Sequence, residues 1–234
     1  MIRGARIESF FIAGPAGRLE ALLKHPGETT SVSGAPADGG ASGPVAVVCH
    51  PHPLFGGTMH NKVVHATAEA LVRRGLPTLR FNFRGVGRSA GRHDHGRGEQ
   101  DDLRAALAVL EERYPARPIV AAGYSFGSFV ALGVGCEHPH VAMLIAIAAP
   151  AGLFPFGFLL HCDKPLVFIQ GENDAIAPLP LVLALAAGLP SGARVVPIPG
   201  ADHAFRGRLE DVGRRVEESV GAFRGMFGAS EERP

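Results

Sequence analysis

The pentapeptide Gly123-Tyr124-Ser125-Phe126-Gly127 follows the apolar run 118–122 and precedes a helical pattern. A serine at a sharp strand-to-helix turn presents its hydroxyl beside the free N–H groups of the helix start. Glycines two positions away on either side remove side chains that would clash with the strained backbone. A hydroxyl in that position is a nucleophile only if a base takes its proton, and the base needs an acid to orient it. In this chain order both partners must lie downstream.

Of the eleven histidines, His138, His140, His161 and His203 follow Ser125. His138 and His140 precede an apolar run and His161 stands just upstream of another. His203 instead follows the run 195–199, within GADHAF. The acid candidates are Asp163, Asp174 and Asp202, with Glu172 beside them. Asp163 precedes its apolar run. Asp202 adjoins His203, and adjacent side chains rarely meet in the geometry that holds a ring Nδ1–H. Asp174, in GEND, follows a run and precedes a helical stretch; it is the expected acid, with Glu172 next. A developing oxyanion needs N–H donors. The Phe126 amide is one. The other belongs to the loop HPHPLFGGT after the run 45–49, where Pro51 and Pro53 have no N–H and leave His52, Leu54 and Phe55.

The elements that must position these groups are legible from periodicity. Residues 5–12 and 18–24 read as two strands. Further apolar runs cover 45–49, 77–83, 118–123, 141–148, 165–169 and 194–198, and helical stretches fall at 61–74, 99–114, 126–136, 179–188 and 207–226. Short runs alternating with helices imply βαβ units and a mostly parallel sheet of about eight strands, whose ligands bind beyond the carboxyl ends of the strands. No repeat or second composition regime appears, so residues 1–234 read as one domain. Within it, 26–44 is a Gly/Pro/Ser-rich loop and 228–234 a tail.

Composition narrows the classes. Hydrophobic residues make up 46% and the net charge is +1, which excludes wholesale disorder and leaves no electrostatic footprint for nucleic acid. Thirty-one Gly and nineteen Pro imply many tight turns. Three cysteines are too few for a disulfide framework and read as buried thiols. Residues 141–160 form an uncharged stretch of twenty residues, but Pro150 and Pro155 break it, so it reads as a strand and an apolar loop, not a membrane span. Glu8 interrupts the apolar start, which reads as a strand and not a secretory signal; a cytoplasmic protein is expected. No metal or other cofactor is expected. His50/His52 and His93/His95 read as loop hydrogen-bonding groups, and Arg84 and Arg88 either attract an acidic substrate or pair with Asp101 or Asp102.

The segments HPHPLFGGTMHNKVV, RFNFRGVGRSAGRHDHG, GYSFGS, GENDAIAP and GADHAF together resemble the α/β-hydrolase superfamily. The resemblance is strongest to its small, lidless bacterial branch near the dienelactone-hydrolase-like proteins. It implies an α/β-hydrolase fold without a cap and a triad on Ser125, Asp174 and His203. Matching the family's Phe-Gly to Phe55-Gly56 puts the second oxyanion donor at Leu54. True dienelactone hydrolases have cysteine where this chain has Ser125, which favours ordinary esters. The expected activity is hydrolysis of small or short-acyl carboxylic esters. A thioesterase, a peptidase or a non-catalytic ligand-binding relative are the alternatives. Phe55, Tyr124, Phe154 and Phe156 are the expected substrate contacts; the last two, with Phe158 and Leu159 of the apolar loop 151–160, either line an acyl-binding groove or pack on the core. Oligomeric state is open, a homodimer being one option.

Overall fold

The computed structural model describes residues 6–27, 43–190 and 192–228. The expected loop at 26–44 and the tail at 228–234 lie almost wholly outside the described residues. Eight strands form one sheet in the order β1-β2-β4-β3-β5-β6-β7-β8. The strands are β1 Ile7–Gly14, β2 Gly17–Lys24, β3 Val45–Cys49, β4 Thr78–Phe81, β5 Ile119–Tyr124, β6 Val141–Ile147, β7 Leu166–Gly171 and β8 Arg194–Ile198. β1 and β2 join antiparallel, and every pairing from β4 to β8 is parallel.

Every residue of β3, β5 and β7 is buried. That follows from covering both faces of a parallel sheet with helices, which needs near-continuous apolar strands. One face carries α1 (Lys62–Arg73) and α5 (Leu209–Gly228), through Val64, Leu71, Val212 and Val216. The other carries α2 (Arg97–Arg113), α3 (Phe126–Glu137) and α4 (Leu179–Ala187), through Leu103, Leu107, Val130 and Val182. With no tryptophan in the chain, phenylalanine is the large filler: Phe81, Phe83, Phe126, Phe168 and Phe205 are fully buried. Each such side chain contributes about 1.5–3 kcal/mol relative to an exposed one.

The sequence reading expects three buried thiols. Cys49 remains one, and burial raises its pKa. Cys136, at the end of α3, and Cys162, before β7, are instead joined in a disulfide with Cα atoms 5.2 Å apart. They lie 26 residues apart in sequence and meet only because the segment between β6 and β7 folds back over α3, a contact that periodicity does not encode.

The chain leaves β3 through α1 toward β4, then returns through α2 to β5 on the opposite side of β3. Helices α1 and α3 therefore depart to opposite faces, and a crevice opens beyond the carboxyl ends of β3 and β5. The HPHPLFGG loop and Ser125 stand at that crevice. Among the described residues, no helix is long and apolar enough to cross a membrane.

Candidate active site

Ser125 joins β5 to α3 with φ 54° and ψ −123°, a left-handed backbone that is costly for a side-chain-bearing residue. The turn is tight enough to require both flanking glycines. A Cβ on Gly123 would meet the Gly127 carbonyl oxygen at 2.1 Å, and one on Gly127 would meet that of Cys49 at 2.4 Å. The Ser125 N–H donates to the Ile147 carbonyl (2.8 Å) and its own carbonyl accepts from Ser128 Oγ (2.6 Å). These bonds over-determine the strained residue.

His203 lies on the loop after β8, and its Nε2 is 3.1 Å from Ser125 Oγ. Its Nδ1–H donates to Asp174 Oδ2 at 2.8 Å. Asp174, on the loop after β7, is almost fully buried, and all its acceptor directions are used. Oδ1 receives the Ile176 and Ala177 amides at 2.9 and 2.7 Å, and Oδ2 also receives Gln170 Nε2 at 3.0 Å. A carboxylate held by so many donors keeps its orientation and place, and so fixes the tautomer that leaves Nε2 facing the serine. Gln170 escapes sequence reasoning because it stands inside a buried apolar strand. A buried amide four residues before the acid was the available signal.

Tyr124 donates its hydroxyl to the His203 carbonyl at 2.9 Å and packs its ring on that imidazole, 5.5 Å between centroids. Burial raises its pKa to about 12, so the phenol keeps the proton it donates. Four of the competing candidates are committed elsewhere. Glu172 accepts the Gly200 amide, Asp202 pairs with Arg206, and His138 and His140 face Glu111.

The loop after β3 forms a short 3-10 turn over Pro53–Phe55. His50 is buried at its start; Nδ1–H donates to the Pro51 carbonyl (2.7 Å) and Nε2 accepts the Phe83 amide (3.0 Å). Burial lowers its pKa to about 4, so it is a neutral brace between β3 and β4. The Leu54 amide, expected as an oxyanion donor, is turned to His52 Nδ1 at 3.2 Å, and Leu54 lies outside the pocket wall with 68% exposure. The Phe55 amide is likewise used, donating to the His52 carbonyl. The 3-10 turn causes this by winding those N–H groups back onto His52, the residue that caps its start. His52 keeps an amide that donates to no acceptor among the described residues. Burial and the neighbouring His93 lower the His52 pKa.

Ser125 and His203 open into a cavity of about 600 Å³. Phe55, Tyr124 and Phe154 line it, joined by Leu153 and Ile176, which the motifs do not mark. Phe156 does not line it. It is 4% exposed and its ring packs edge-on against Phe129 of α3, because an aromatic held under the loop buries more area there than at an open mouth. Phe158 and Leu159 pack on the same core. Arg84 is held by Asp102 through two side-chain nitrogens and its amide, which removes it as a free cation. Among the described residues, no group of three His, Cys, Asp or Glu is arranged to hold a metal ion.

Residues 43–155 match the family model described as serine aminopeptidase, S33. An uncharacterised protein of Rickettsia prowazekii is 35% identical over 217 residues, covering 89% of this chain and 86% of the relative. Among solved structures, an α/β serine hydrolase homologue from Coxiella burnetii is 38% identical with a TM-score of 0.82, covering 91% of this chain and 97% of that one. A Xanthomonas campestris α/β serine hydrolase described as without lid is 34% identical with a TM-score of 0.84, covering 93% and 95%.

Proposed function

Since the chain belongs to the α/β-hydrolase superfamily, as a serine hydrolase without a cap domain, we propose that it cleaves carboxylic esters through an acyl-enzyme on Ser125. The observation that carries this reading is the relay from Ser125 Oγ through His203 to buried Asp174, at 3.1 and 2.8 Å, opening into a cavity walled mainly by apolar side chains. Ser125 Oγ attacks the ester carbonyl while His203 Nε2 takes the serine proton. Asp174 stabilises the imidazolium. The oxyanion sits between the Phe126 amide and the His52 amide, the latter taking the place of Leu54. Collapse transfers the His203 proton to the departing alcohol. A water activated by His203 then releases the acid and restores the serine.

An aminopeptidase is the second reading, favoured by the family model's description. Such an enzyme must bind a substrate ammonium group, and the residues lining the cavity include no carboxylate side chain. An apolar wall suits acyl or aryl groups instead. The open, capless site favours small or short-acyl esters.

The test is a panel of aryl esters and aminoacyl anilides run on the wild type and Ser125→Ala, with a fluorophosphonate label mapped by mass spectrometry. Labelling at Ser125 and a loss of roughly 10⁴-fold or more in ester turnover are expected. Ester turnover that survives Ser125→Ala would sink the assignment. Anilide cleavage exceeding ester cleavage would favour the peptidase.

A further inference from the structure

A second cleft, of about 560 Å³, lies against the first and shares Asn61 and Tyr124 with it as a common wall. One side is the start of α1, with His60 and Lys62. The other is the chain that leaves His203, from Ala204 to Arg206. The chemistry of the two cavities differs. The first is bordered by Phe55, Leu153, Phe154 and Ile176. In the second, the charged and imidazole side chains are Lys62, Arg206 and His60, with no carboxylate among the lining residues. Arg206 is partly neutralised by Asp202 at 2.8 Å. Lys62 makes no ion pair among the described residues, and with His60 it also borders a further cleft that holds Glu69 and Glu210.

The direction of the reaction says which group enters which cleft. In acyl transfer the C–O bond to the alcohol breaks as the Ser125 Oγ–C bond is made, and the leaving oxygen takes the proton from His203 Nε2. That oxygen must face His203. Ser125 and His203 both line the first cavity, and the chain continuing from His203 walls the second, so a leaving alcohol on the His203 side has the second cleft beside it while the acyl group keeps the apolar cavity.

We infer that the second cleft is the leaving-group subsite and that it selects alcohols carrying a carboxylate or phosphate, held by Lys62. This rests on the ester-hydrolase reading above and names its substrate class. An anion there gains from a cationic lining free of carboxylates, and the gain is screened by salt because the cleft is open to solvent.

The experiment compares butanoate esters of 3-hydroxyphenylacetic acid, of its neutral amide, and of 3-hydroxybenzyl phosphate. At low ionic strength, kcat/KM for each anionic ester should exceed that of the amide by about fivefold, and the ratio should shrink in 0.5 M NaCl. Lys62→Gln should bring the ratio to about 1, and Lys62→Arg should restore it. Inhibition by the product 3-hydroxyphenylacetate should weaken in Lys62→Gln by a similar factor. Preference for only one of the two anions identifies which group the cleft takes. A wild-type ratio near 1, or a ratio and product inhibition indifferent to Lys62→Gln, overturns the subsite while leaving ester hydrolysis intact. Failure to hydrolyse any of the three overturns the ester reading and the subsite with it.

Discussion

Two histidines in this molecule each donate Nδ1–H to a buried carboxylate at the same 2.8 Å: His203 to Asp174 and His93 to Glu99. Both carboxylates also hold backbone amides, those of Ile176 and Ala177 for Asp174 and those of Asp94 and Gly96 for Glu99. In electrostatic terms the pairs are nearly twins. They differ in what stands beyond the ring. His203 faces the hydroxyl of Ser125 from a loop at the carboxyl edge of the sheet. His93 is wedged among rings, with centroids 4.7 Å from His52, 5.0 Å from His95 and 5.7 Å from Phe126. A histidine–carboxylate pair is therefore not a catalytic unit by itself. In the mechanism we propose it becomes one where topology delivers a nucleophile to the free nitrogen. Elsewhere the same bond makes a brace, here behind the two residues whose amides we assign to the oxyanion.

The largest break in the comparison comes from the acids. Asp174→Asn should leave the fold intact and lower kcat by about 10³ to 10⁴, because an amide no longer fixes the Nδ1–H tautomer of His203. Steady-state kinetics beside a circular dichroism spectrum measures this. A loss under tenfold would mean that the buried aspartate does not orient the base.

Glu99→Gln should do the reverse. Its carboxylate caps the first turn of α2 through the Asp94 and Gly96 amides and holds His93. Replacing one oxygen by NH₂ turns a donor against a donor in a buried site, at a cost of about 2–3 kcal/mol in unfolding free energy. Turnover should fall by no more than about tenfold, through looser seating of His52 and Phe126. Urea denaturation and kcat measured on one preparation decide it. If kcat fell as far as in Asp174→Asn at unchanged stability, the second pair would be catalytic and the contrast would collapse.

The unequal legibility of the two pairs has a physical cause. Ser125, Asp174 and His203 each follow an apolar run, so the rule that sites lie beyond the carboxyl ends of parallel strands, taken with the Gly-x-Ser-x-Gly pattern and the chain order, makes them the candidates. The same periodicity placed all eight strands and five helices to within a few residues. The His93–Glu99 brace sits inside a loop with no periodicity, and its partners His52 and Phe126 come from other elements. The Leu54 expectation failed for a related reason: a 3-10 turn of three residues is invisible to hydrophobic patterning, yet it decides which amides are free. Phe156 and the Cys136–Cys162 bridge depend on how one irregular segment lies over α3. That is set by packing and not by local sequence.

A third histidine sharpens the contrast by having no carboxylate at all. His50 is buried between the Pro51 carbonyl and the Phe83 amide, and burial lowers its pKa from the usual 6.5 to about 4. Its folded value is the lower one. Between these two values the unfolded chain binds the proton and the native one does not. The stability that neutral His50 supports is thus complete above pH 6.5 and is lost as pH falls toward 4. Going from pH 7 to pH 5 should remove about 2 kcal/mol of unfolding free energy through this one group. His50→Gln cannot be protonated, so it should be less stable than the wild type at pH 7, having lost the ring's packing on Phe83, yet show a slope shallower by that amount. Urea melts of both proteins at the two pH values measure it. Parallel pH slopes would show that His50 is not the proton-excluding brace at the base of the oxyanion loop.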